Sequence, residues 1–96
     1  MARSSGLANR LFTDKERFYC HSKSDSATRY AGTLAAKEAV MKALGVKSLP
    51  AWARRIEIVR DESGAPSARV TGVETGTMFI SISHDGGVAV AVALRT

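Results

Sequence analysis

Apolar positions recur at a helical period before about residue 48 and at a strand period after about residue 55. That change predicts an α+β domain, with N-terminal helices followed by a mostly antiparallel four-stranded sheet, in a single unit spanning 1–96. Thr13-Asp14-Lys15-Glu16 has the S/T-x-x-E form of a capping box, so a short helix starts there and runs through Phe18 towards Cys20. The polar stretch 21–25 ends it. A longer helix follows from about Ser26, a good N-cap, to Leu44, with Gly45 where a left-handed residue closes a helix. At the helical period Ala27, Tyr30, Leu34, Met41 and Leu44 gather on one face, and Glu38 falls at the edge of that stripe, its carboxylate directed towards the core.

Beyond the loop around Pro50 and Trp52, Ile56 and Ile58 alternate with Glu57. Residues 61–66 read as a turn into a second strand near 69–71, and the two strands form a hairpin. Met78, Ile80 and Ile82 then alternate with Phe79, Ser81 and Ser83. A turn at His84-Asp85-Gly86-Gly87 precedes the apolar run 88–94, read as a central strand covered on both faces.

The 96 residues, 45% hydrophobic and 24% charged, suit one core rather than two. A domain this small gains stability from association with copies of itself. Cys20 is the only cysteine, which excludes an intramolecular disulfide and suits a reducing compartment, by default the cytoplasm. The longest apolar stretch is far below the roughly 20 residues that cross a bilayer, and no apolar segment follows Arg3 as a signal peptide requires.

Net charge is +5 but unevenly placed, since residues 1–55 carry 11 basic and 4 acidic side chains and 56–96 carry 3 and 5. The first half therefore faces an anion: a phosphorylated cofactor, an acidic protein surface or a nucleic acid. Aromatic residues interleaved with Lys/Arg on strands are missing, which argues against the nucleic acid.

Two places break the pattern. Glu38, inside the long helix, forms either a functional carboxylate or an i,i+4 pair with Lys42. His84, at a strand end, is either a site residue or a histidine bonded to a turn carbonyl. No phosphate-binding P-loop, nucleophile elbow or His/Cys metal cluster is present.

Residues 30–45, YAGTLAAKEAVMKALG, are similar to the R-F-A-A-K-E-A…K-A-(L/F)-G helix of holo-acyl-carrier-protein synthases. Ser81-Ile82-Ser83-His84 resembles their closing hairpin, and Ile56-Glu57-Ile58, Gly64-Ala65-Pro66 and Leu11-Phe12-Thr13 with Glu16 fall in the family's order. The resemblance covers roughly 10–95. It implies a phosphopantetheinyl transferase fold that moves phosphopantetheine from coenzyme A to a serine of an acyl or peptidyl carrier protein. It also implies that Glu38 holds Mg²⁺ on the coenzyme's pyrophosphate and acts in catalysis with Lys42. Lys37, Lys42, Gly45, Pro66 and His84 would bind the coenzyme, His84 at its phosphate-bearing end. Arg3, Arg10, Lys15 and Arg17 would dock the acidic carrier protein, and a homotrimer would place active sites between subunits.

The family's opening strand, with the aspartate that is a second metal ligand, has no counterpart before Leu11. A relative that keeps the fold as a carrier-protein-binding or assembly module is the rival expectation.

Overall fold

The computed structural model describes residues 10–22, 24–47, 49–74, 76 and 78–96. Helix α1 spans Asp14–His21, α2 Ser26–Leu44 and the single turn α3 Leu49–Trp52; strands follow as β1 Ile56–Arg60, β2 Pro66–Val70, β3 Met78–Asp85 and β4 Val88–Arg95. The order is the expected α+β one, with antiparallel strands. The four strands form two separate two-stranded ladders, β1–β2 and β3–β4, with β2 set beside β3.

Helix α1 starts where the capping box places it. Glu16 N–H donates to Thr13 Oγ1 at 3.3 Å and Thr13 N–H donates to Glu16 Oε1 at 2.8 Å, so two of the orphan donors at the helix start are satisfied reciprocally. Helix α2 has the expected bounds, but its N-cap is Asp25, in a left-handed conformation and without a side-chain cap bond, rather than Ser26. Gly45 closes it at φ 73°, its N–H bonding to carbonyls of the last turn. At the other tight turn, Gly86 and Gly87 both have positive φ, which suits a two-residue hairpin turn; β3 continues through His84 and Asp85 before it.

The buried face of α2 is not the expected one. Gly32, Thr33, Ala36, Lys37, Val40 and Met41 are buried, Tyr30, Leu34 and Leu44 are half-buried, and Ala27 and Glu38 are exposed. Alanines surround this helix, so its own sequence sets little polar-to-apolar contrast, and the strands and α1 choose the face. The core joins Ala36, Val40 and Met41 of α2 to Ile56 and Ile58 of β1, with Ile80, Ile82, Ala91 and Ala93 of the second hairpin packed against them.

Lys37 and Glu16 complete this packing. Lys37 Nζ donates to Glu16 Oε1 at 2.7 Å and to the Ile56 carbonyl at 2.5 Å, and Glu16 Oε2 accepts the Ile58 N–H at 2.7 Å. Side chains thus occupy the Ile56 carbonyl and the Ile58 N–H on the edge of β1 that points away from β2. They satisfy a strand edge that would otherwise hold buried, unpaired polar groups.

Strand β4 is not covered on both faces within the chain. Ala89, Ala91 and Ala93 pack towards α2, whereas Val88, Val90, Val92 and Leu94 are each more than half exposed, as is Phe79 opposite Leu94. The register puts Ser81 beside Val92 and Ser83 beside Val90 on this outer face. Among the described residues no helix is long and apolar enough to cross a membrane.

Candidate active site

Helix α2 carries chemistry at two levels. In its C-terminal half Glu38 and Lys42 are exposed and line an open groove of about 570 Å³, walled by Ala35, Ala39 and Ala43 and by residues 89–93 of β4. The small alanines leave the room. Glu38 and Lys42 make no ion pair with each other, so carboxylate and ammonium both stay open to a ligand. Among the described residues no three His, Cys, Asp or Glu side chains cluster as a metal site.

Towards the N-terminal half of α2, His84 lines a second cavity of about 390 Å³ with Tyr19, Ser24, Asp25, Thr28, Arg29 and Arg60. Even residues of β3 face α2, which is why the imidazole reaches the helix. Arg29 and Arg60 lie over the Tyr19 ring, 4.8 and 4.7 Å from its centroid, and Arg60 Nη1 donates to Tyr19 Oη at 3.2 Å. Arg29 Nη1 and Arg60 Nε are buried without a hydrogen-bond partner. Two guanidinium groups against the single carboxylate of Asp25 give this cavity an excess of positive charge suited to an anion.

The expectation that the Glu38 carboxylate is directed towards the core is therefore corrected: Glu38 is exposed in its own groove, and His84 opens into a different cavity of the same chain. Lys37, expected at the coenzyme phosphates, is fully buried against Glu16 and Ile56. Burial lowers its pKa from the usual 10.5, opposed by the Glu16 carboxylate. Gly45 is the exposed cap of α2, and Pro66 opens β2 opposite Arg60, at the end of the hairpin nearest the His84 cavity.

Of the docking candidates, Arg10 and Lys15 are exposed, while Arg17 is partly exposed and paired with Asp14. Arg3 lies outside the described residues. Arg29 and Arg60 were not singled out by the sequence. They are 31 positions apart and only Tyr19 brings them together, so the surplus of basic residues in the first half was the one signal for half of the pair.

The family model for the 4′-phosphopantetheinyl transferase superfamily matches residues 1–93, and the chain belongs to that superfamily. The match includes the segment before Leu11, in which the sequence had shown no counterpart; that segment carries no Asp or Glu. The chain is 39% identical over 102 residues to a holo-[acyl-carrier-protein] synthase of Anaeromyxobacter dehalogenans, covering 97% of this chain and 77% of that protein. It is also similar to the Helicobacter pylori holo-[acyl-carrier-protein] synthase solved in complex with coenzyme A, with a TM-score of 0.82 and 27% identity over 99% of this chain and 85% of that one. The Mycobacterium tuberculosis acyl carrier protein synthase gives a TM-score of 0.74 at 33% identity, over 98% and 88%.

Proposed function

We propose that the protein transfers phosphopantetheine from coenzyme A to a serine of an acyl or peptidyl carrier protein. The observation that carries this reading is the pairing, on one helix, of the open Glu38–Lys42 groove with the cationic Arg29–Arg60–His84 cavity, in a chain of this superfamily. Coenzyme A is a ligand with two anionic regions, and each level of α2 suits one. Glu38 and Lys42 serve the pyrophosphate, and His84 with the two arginines serves the phosphate-bearing end of the nucleotide.

In the transfer the carrier serine oxygen bonds to the β-phosphorus as the bond from that phosphorus to the 5′-phosphate oxygen breaks, releasing 3′,5′-ADP. Glu38 accepts the serine proton, and the Lys42 ammonium stabilises the charge that grows on the leaving phosphate. Magnesium fits this donor set as an ion held by one protein carboxylate, Glu38, together with substrate phosphates, since Mg²⁺ commonly takes only one or two carboxylates. When bound, it supplies Lewis-acid neutralisation of the pyrophosphate oxygens. Gly45 leaves open space at the end of α2, and Pro66 pairs with Arg60, which lines the other cavity.

The working form is a homotrimer in which the outer face of β3–β4 is covered by other copies. Val90 and Val92 belong both to that apolar face and to the wall of the Glu38 groove, so a neighbouring copy would close the groove. Arg10, Lys15 and Arg17 present α1 to the acidic carrier protein, and the chain works in the cytoplasm, where its lone buried Cys20 stays reduced. The test is to mix the protein with coenzyme A, Mg²⁺ and an apo carrier protein and to weigh the carrier. The expected result is the phosphopantetheine mass increment; an unmodified carrier in the presence of folded protein overturns the reading.

A further inference from the structure

Gly32 sits at a buried position near the middle of α2, where glycine weakens a helix relative to alanine. A methyl group on its Cα would stand 2.9 Å from His84 Cε1, 3.0 Å from His84 Nε2 and 3.2 Å from Ile82 Cγ2. These separations lie inside the 3.5–4.0 Å at which carbon atoms pack best. The two shortest involve the far end of the imidazole, which can swing aside, rather than backbone. On one side of Gly32 lies Ala31 and one turn back lies Thr28, and both line cavities with His84.

We propose that Gly32 is a positioning residue for His84: the bare backbone at this point of α2 is the seat on which the imidazole rests, aimed into the cavity with Arg29 and Arg60. Any side chain there displaces the ring from the two guanidinium groups. The inference rests on the reading of that cavity as the nucleotide end of the coenzyme site, and it adds the residue that sets the geometry of His84 without touching ligand.

A double-mutant cycle with Gly32→Ala and His84→Ala tests it, using 3′,5′-ADP as the probe in calorimetric titration, thermal unfolding of the four proteins, and the imidazole Cε1–H proton signal. Gly32→Ala should weaken 3′,5′-ADP binding at least tenfold and shift the His84 signal, assigned by its loss in His84→Ala, while leaving the His21 signal in place. In the His84→Ala background Gly32→Ala should have no further effect on binding, and alanine should raise the melting temperature because its clash is gone. A Gly32→Ala protein that fails to fold alone but folds without His84 supports the same contact. Equal effects of Gly32→Ala in both backgrounds, or an unmoved His84 signal with unchanged affinity, overturn the proposal. If the unmutated protein does not bind 3′,5′-ADP, the nucleotide reading fails, and the thermal cycle and the proton signal still decide the role of Gly32.

Discussion

Lys37 Nζ lies 2.7 Å from Glu16 Oε1, with both side chains shut away from water. The pair holds α1, α2 and β1 together through four hydrogen bonds rather than through charge alone, because Glu16 also accepts from Thr13 and Ile58 and Lys37 also donates to Ile56. Removing one partner strands a buried charge, a loss of about 3–5 kcal/mol. Lys37→Met should therefore unfold at much lower urea than the unmutated chain. Glu16→Gln with Lys37→Met leaves a neutral acceptor for Ile58 and should be clearly less destabilised than the sum of the single changes.

Glu38→Gln keeps size and helix compatibility and removes the charge that Mg²⁺ and the serine proton need. Because Glu38 is exposed, stability should change by no more than about 0.5 kcal/mol. Transfer activity, followed by carrier mass, should fall about tenfold to a hundredfold, the scale of a disturbed metal site. Unchanged activity would remove Glu38 from the mechanism.

The outer face of β3–β4 supplies a test of assembly. Val92→Glu places a charge in the middle of the exposed apolar strip without touching the core. Light scattering should give three times the chain mass for the unmutated protein and one chain mass for the variant, with helix content preserved. A monomer mass for the unmutated protein at micromolar concentration contradicts the trimer.

Cys20 sets part of the alkaline limit of stability. Burial pushes its thiol above the usual 9.0, with the hydrogen bond shared with Thr33 acting the other way. A raised folded-state value means that the unfolded chain loses this proton first as pH rises. The contribution is whole below pH 9.0 and is lost as pH climbs through the folded-state value. Melting temperature recorded from pH 7 to above 9 should fall less steeply for Cys20→Ala than for the unmutated protein, and parallel curves would exclude the thiol as a cause.

Local signals carried much of the fold. The capping box at Thr13 and Glu16, the Gly45 stop and the period-two strands were legible because each depends on residues close in sequence. The face that α2 buries was not, since alanines line it nearly all round and Lys37 is taken inside by Glu16, 21 positions away. The apolar run of β4 reads alike whether another layer of the same chain or another molecule covers it, so its open face was mistaken for a covered one. Glu38 and Lys42 stood out as a motif, but the sequence directed Glu38 towards the core rather than into the open groove it lines, and Arg29 and Arg60 meet through tertiary packing on Tyr19.

The side chains that occupy the far margin of β1 also decide how copies can meet. With the outward carbonyl of Ile56 and amide of Ile58 already engaged, the margin of β1 is a poor template for another strand. Among the described residues, most of the exposed large apolar side chains, Phe79 and the valine and leucine strip of β4, share the outer face of β3–β4, and Phe18 on α1 stands apart from them. Adhesion gathered on one face, about a rotation axis, favours closed rings of fixed size over fibres.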